Sequence, residues 1–198
     1  NEEQWGEKAR SVDYYDVKHD LEILFGIQAS SLRFTVEKNP ILHPGRSAAI
    51  QLHGQHIGWI GELHPRWVLE QELTTAPVLL EVQLDALMAV AMPQVKELSR
   101  QPFVQRDLAI WVSTDTPVQS LLDTIAVTIA SDSSLTVVQH VGLFDVWRDP
   151  AKNDSNEKSL AFRLSLQDYE VTLDDARVDA CISKIREALE VGHQARPR

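Results

Sequence analysis

Cysteine is almost missing from this chain: Cys181 is the only one in 198 residues. An internal disulfide is therefore impossible, which fits a reducing cytosol. No apolar run is long enough to cross a membrane as a helix. There is no initiator Met, and Asn1-Glu2-Glu3-Gln4-Trp5 has neither the basic start nor the apolar stretch of a signal peptide. The start is expected to be a cut inside a longer chain. Basic charge is also scarce, with 19 Lys and Arg against 29 Asp and Glu and a net charge of −10. Sequence-independent nucleic-acid binding rests on basic surface, so a general RNA or DNA coat is disfavoured, while a small, shaped RNA site is not. Both sides of Val95 are acidic, with 7 basic against 13 acidic residues before it and 12 against 16 after it.

Recognisable catalytic chemistry is absent too. The sequence has no P-loop, no glycine-rich dinucleotide turn and no paired metal-ligand motif. His53 and His56 are spaced like ligands but flank a hairpin turn, and a site would need two more ligands. His43 and His64 each precede a proline and read as turn or interface residues. Cys181 falls in an apolar stripe and reads as an inert core thiol. No catalytic residue, cofactor site or metal site is expected in this chain.

What is present is a 43% hydrophobic, 24% charged composition, that of an ordinary globular protein. The segment Ala91-Met92-Pro93-Gln94-Val95 is the candidate boundary, because Pro93 biases its predecessor away from helix. Two domains are expected, 1–93 and 94–198. In the first, Val17 to Phe25 reads as a helix stopped by Gly26, and Leu32 to Val36 as a strand. Ala48 to His53 and His56 to Ile60 flank Gly54-Gln55, the signature of a two-residue type II′ hairpin loop. Pro65 to Glu72 reads as a short helix, Val78 to Val82 as a buried strand and Leu84 to Val90 as a helical stretch.

The second half is expected to run strand-helix-strand-strand-helix. The elements are Asp107 to Val112, a helix capped by Thr116 with Pro117 first, Val137 to Trp147, Ser159 to Leu166, and a helix opened by a Thr172/Asp175 capping box. Leu121, Leu122, Ile125 and Ile129 line the first helix, and Val178, Cys181, Ile182, Ile185 and Leu189 the second. A short last strand is expected near Ala195. This is the ferredoxin-like order, in which both helices cover one face of an antiparallel sheet and the other stays open.

Strand alternation sorts the residues between the two faces. Leu108, Ile110, Val112, Phe144, Val146, Leu160, Phe162, Leu164 and Leu166 are expected to point toward the helices. Asp107, Ala109, Trp111, Asp145, Trp147, Ser159, Ala161, Arg163 and Ser165 are expected on the open face. Two tryptophans, small residues and an arginine suit an unpaired nucleotide. A base needs a flat π surface, close approach to the backbone and polar groups at its edge. The other reading is packing by a neighbouring domain or loop, the commoner use of an outward tryptophan on a sheet.

Four segments carry a resemblance: Arg106-Asp107-Leu108-Ala109, Phe144-Asp145-Val146-Trp147, Lys158-Ser159-Leu160-Ala161-Phe162-Arg163-Leu164 and Thr172-Leu173-Asp174-Asp175. Together they resemble the anticodon-binding domain that ends bacterial phenylalanyl-tRNA synthetase β subunits, over Val95 to Arg198. Val12-Asp13-Tyr14-Tyr15-Asp16-Val17-Lys18, Leu42 to Ala48 and Ile57 to Pro65 are similar to the synthetase-like core of the same family. The resemblance implies an α+β chain: an antiparallel-sheet segment of a degenerate class II synthetase-like fold, followed by a ferredoxin-like α/β sandwich. It implies a part in a cytoplasmic ligase of two α and two β chains that joins phenylalanine to tRNA(Phe) using ATP and magnesium. The catalysis would lie in the α subunit, against which the first half packs.

Carried over by motif, Trp147 stacks on the first anticodon base, with Ala109 and Ser159 beside it. Asp145, Arg106, Lys158 and Arg163 complete the expected RNA contacts; Lys96, Arg100 and Arg106 form a group that reads equally as a contact for phosphates near the anticodon stem or as a solvated charged face. Two departures stand out: His19 replaces a glycine of the family motif, and Arg148 to Glu157 lacks the family's loop glycines. Competing readings are a ferredoxin-like small-molecule regulatory module, disfavoured by the glycine-free Ser113 to Pro117 loop, and a purely structural interaction fragment.

Overall fold

The computed structural model describes residues 5, 9–89, 98–148 and 156–198. The chain divides into two compact units, 1–95 and 96–198. The expected boundary at 91–95 lies outside the described residues.

The first unit opens with helix α1, Tyr14–Phe25. It starts before the apolar run because Asp13 and Asp16 form a capping box. Tyr15 N and Asp16 N donate to the Asp13 carboxylate, and Asp13 N donates to Asp16 at 2.9 Å. Gly26 ends the helix with φ +52°, and a 3-10 segment, Gly26–Ser31, follows. Strands β1 (Leu32–Thr35), β2 (Leu42–Leu52), β3 (Gln55–Leu63) and β4 (Val78–Val82) form an antiparallel sheet in the order β1-β2-β3-β4. β4 is half-buried rather than buried. Helices α2 (Pro65–Glu70) and α3 (Leu84–Met88) are short. Leu21, Phe25, Leu32, Ile50, Ile57 and Ile60 make the core.

The hairpin corrects the sequence reading. Leu52 pairs with Gln55, so the two-residue loop is His53-Gly54. Both have positive φ, +50° and +80°. That is the pattern of a type I′ turn, which matches the right-handed twist of the strands. The two histidines before prolines share one local role. His43 Nδ1 accepts from Gly45 N at 3.0 Å, and His64 Nδ1 accepts from Arg66 N at 3.1 Å. Each proline lacks an N–H, so the ring is met by the next one along.

The second unit runs β5 (Val104–Ser113), α4 (Val118–Ser131), β6 (Val138–Trp147), β7 (Glu157–Leu166), α5 (Asp175–His193) and β8 (Arg196–Pro197). The sheet order β6-β7-β5-β8, with antiparallel pairing throughout, is the ferredoxin-like arrangement. Leu121 and Ile125 of α4 and Val178, Cys181, Ile185 and Leu189 of α5 pack on Leu108, Ile110, Leu160, Phe162 and Leu164. Leu122, Ile129 and Ile182 are partly buried at the margin.

Both expected helix starts shift. Pro117 keeps ψ at 135°, so it stands before α4 instead of inside it, and no side chain caps that end. Asp174, not Thr172, caps α5 by accepting from Arg177 N at 2.8 Å, while the Thr172 hydroxyl donates to Gln101. β6 is also less regular than alternation assumes. Its register slips between Leu143 and Asp145, placing Leu143 opposite Phe162 and Asp145 opposite Ala161. The extra residue, Phe144, is 50% exposed and does not join the core. Val146 faces the helix side, opposite Leu160, but on this edge strand it stays 51% exposed.

Candidate nucleic-acid interface

Cross-strand partners on an antiparallel sheet share a face, so register assigns the open face directly. One row across it is Trp111, Ser159 and Trp147. The next is Ala109, Ala161 and Asp145, and a third is Asp107, Arg163 and Gly142. Trp147, Ala109, Ser159, Asp145 and Arg163 are thus brought together, as alternation predicts.

The tryptophans wall one end. Their rings meet edge to face, with centroids 5.6 Å apart at 74°. Ser159 between them is 1% exposed, so it is a buried floor residue and not a surface one. Ala109 is half-buried and supplies no side chain beyond Cβ, leaving the sheet backbone approachable.

A residue that the motifs do not mark completes this end. β8 pairs Trp111 with Arg196 and Ile110 with Pro197, which brings Arg198 alongside Ala109. Arg198 N donates to the Ala109 carbonyl at 3.1 Å. Its guanidinium reaches 3.5 Å from Ser159 Oγ and lies 5.1 Å from the Trp147 ring centroid. Arg198 therefore crosses the face as a cationic cover resting on the aromatic wall. The expected short strand, with its alternation carried on from Trp111, is the signal that would have found it.

Toward the other end, Arg163 and Asp107 form a two-point ion pair: Nε to Oδ1 at 2.8 Å and Nη2 to Oδ2 at 2.8 Å. Arg163 holds the Asp107 carboxyl below the usual carboxylate range, chiefly through this hydrogen bonding. The guanidinium also lies 4.6 Å from the Phe144 ring centroid. The register slip is what puts Phe144 here.

Two expected RNA contacts are not brought to this face. Lys158 pairs with Val112 on the helix side and is 8% exposed. Its ammonium donates to the Thr114 carbonyl at 2.9 Å and the Thr116 carbonyl at 2.7 Å, stapling the loop before α4. Burial, with Arg148 adding to it, pulls its pKa below the normal lysine value. Arg106 pairs with Leu164, also on the helix side, and binds Asp175 in the first turn of α5 at 2.6 Å. Of the expected phosphate group, Arg100 is exposed and Lys96 lies outside the described residues, as does 149–155 of the Arg148 to Glu157 loop. Among the described residues no group of three or more His, Cys, Asp or Glu is placed to hold a metal ion, and no helix is long and apolar enough to cross a membrane.

Comparison with known proteins adds to this geometry. Residues 99–198 match the ferredoxin-fold anticodon binding domain, and residues 1–84 match the phenylalanyl tRNA synthetase beta chain CLM domain. The phenylalanine–tRNA ligase beta subunit of Bordetella parapertussis is 55% identical over 199 aligned positions, covering 100% of this chain and 25% of that protein. The subunits of the same name from Ralstonia nicotianae and Nitrosospira multiformis are 45% and 42% identical, again over 100% of this chain and 24% of theirs. The chain thus spans about a quarter of the length of the curated relatives it matches. With a β6-β7-β5-β8 sheet, two helices on one face and aromatic residues on the other, the chain belongs to the ferredoxin-fold anticodon binding domain family, and the stretch before that domain is similar to the phenylalanyl tRNA synthetase beta chain CLM domain.

Proposed function

We propose that this chain is a β-subunit portion of a phenylalanine–tRNA ligase and that its second unit binds the anticodon loop of tRNA(Phe). The carrying observation is the open-face row of Trp111, Ser159 and Trp147 beside the bare floor of Ala109. A purine or pyrimidine laid on Trp147 gains a stacking surface worth ~1–3 kcal/mol. Ala109 lets it approach the backbone, and Asp145 and Arg198 offer an acceptor and donors to its edge. Arg198 must yield the Trp147 face or sandwich the base against it.

The parent enzyme in this reading is a cytoplasmic class II synthetase of two α and two β chains. It uses ATP and magnesium in its α subunits, with the first unit packing against α. Nothing in this chain would touch the reacting atoms. The two units act as separate domains, the second folding alone. A titration of anticodon stem-loop RNA into the chain, followed by tryptophan fluorescence at low salt, tests the proposal. Saturable quenching that favours the tRNA(Phe) loop over a scrambled loop is expected. Equal, weak response to both loops would overturn it.

A further inference from the structure

The Phe144–Arg163–Asp107 cluster sits on the same open face but is not used by the Trp147 pocket. Arg163 lies four residues from Ser159 along β7, roughly 13 Å at strand rise. That is too far for the neighbouring base of a continuous stack, where bases are about 3.4 Å apart. It suits a second, splayed-out nucleotide of the same loop.

The cluster's chemistry also selects a base over a phosphate. Asp107 takes the Nε and Nη2 donors of Arg163 and cancels its charge. The Arg163 Cζ lies over the Phe144 ring, 4.6 Å from its centroid. What remains is the other planar face, with Nη1 at its rim, on a side chain 46% exposed. A guanidinium plane held in this way is a stacking platform. The two-point carboxylate contact fixes its tilt, and the Phe144 ring lies against it. In a chain of net charge −10, contacts that do not rely on excess positive charge are the ones the surface can supply.

We propose that Arg163, held by Asp107 and backed by Phe144, is a second base-stacking site, taking an unpaired nucleotide that flanks the one on Trp147. This rests on the anticodon-loop reading above, and the two can fail separately.

The test uses the full 198-residue chain and a hairpin RNA carrying the tRNA(Phe) anticodon loop, intact or with one loop base at a time made abasic. Arg163→Lys keeps the charge but loses the plane and the two-point grip. Phe144→Leu keeps apolar bulk but loses the ring. Arg163→Lys should weaken intact-loop binding by roughly 5- to 150-fold, the effect of removing one stacking platform, and Phe144→Leu should weaken it less, through lost support of that platform. One abasic position should weaken the unaltered chain but not these variants, and it should differ from the position silenced by Trp147→Ala. Arg163 and Phe144 are exposed and Trp147 is half-buried, and denaturation curves check that folding is kept.

Unchanged affinity in Arg163→Lys, or the lack of any abasic position coupled to Phe144 and Arg163, would overturn the second site while leaving the first. Coupling at Trp147 absent but present at Arg163 would overturn the first and keep the second. No binding by the unaltered chain would sink both.

Discussion

Trp111 meets Trp147 edge to face across the buried Ser159, so the second tryptophan is held in place by the first. A half-buried indole on an edge strand would otherwise sample several rotamers, and ordering it would cost binding energy. The two residues are therefore unequal partners. One offers its face, and the other fixes that face.

Trp147→Ala should weaken anticodon stem-loop binding by ~1–3 kcal/mol, the loss of one aromatic platform. Trp111→Ala should weaken it less, through lost ordering of Trp147. Fluorescence titration of both variants measures the difference. Equal losses would mean that a general aromatic surface does the binding.

Ala109→Trp should weaken the same binding by bulk alone. Ala109 lies under the approach to the backbone, and an indole there fills the space a base would take. Thermal stability should change little, because the new side chain points away from the core. Calorimetric titration and a melting curve separate the two effects, and undiminished affinity would place the base elsewhere.

Lys158→Met should act on stability and not on RNA. The ammonium is bonded to the Thr114 and Thr116 carbonyls on the helix side, so its loss strands two acceptors. The cost is about 1.5–3 kcal/mol, the range for hydrogen bonds to a charged group. Urea unfolding should show it, while stem-loop affinity measured well below the transition stays unchanged. A selective loss of affinity would return Lys158 to the RNA contacts.

The Asp132–Lys184 pair gives a pH signature. Lys184 donates to Asp132 at 2.5 Å and Ser134 adds two more bonds, which hold the carboxyl down at about 2. The ordinary aspartate value is 3.8. A depressed folded value adds stability above the unfolded one, and that increment is lost as pH falls from about 4 to about 2. Asp132→Asn should lower Tm at neutral pH, with the deficit shrinking across this window and gone below it. A deficit independent of pH would show that the carboxylate charge is not the cause.

Gly58→Ala should be among the most damaging single changes in the first unit. A Cβ there would stand 2.0 Å from the Glu81 carbonyl oxygen of β4, which is backbone and cannot swing aside. A penalty of about 1–3 kcal/mol or more is expected from such overpacking. Circular dichroism melts of the variant measure it; a melt like that of the unaltered chain would mean that β4 can move away.

The order of elements and the open face were readable because apolar periodicity survives in β5, β7, α4 and α5, where cores demand it. Phe144 was misplaced because alternation has no way to see an extra residue in a strand. The hairpin was misassigned because a histidine, not a glycine, takes the first positive φ at His53. Lys158 and Arg106 fail for a different reason. Strict alternation from Ser159 and Asp107 points both toward the helices, where Lys158 pairs with Val112 and Arg106 with Leu164, and a positive charge alone does not place a side chain on the open face. A two-residue strand is too short to assign a face to Arg198 by its own alternation; only its register against Trp111 does so.

The register slip in β6 also bears on how this surface can change over generations. Removing Phe144 alone would let Leu143 and Asp145 run as an ordinary ladder, with every later partner on β7 kept. The core would survive such a deletion, while the open face would lose one of its aromatic rings. On the second-site proposal, foldability and ligand preference would rest on different residues of one strand, so that a single-codon loss would alter the second without endangering the first.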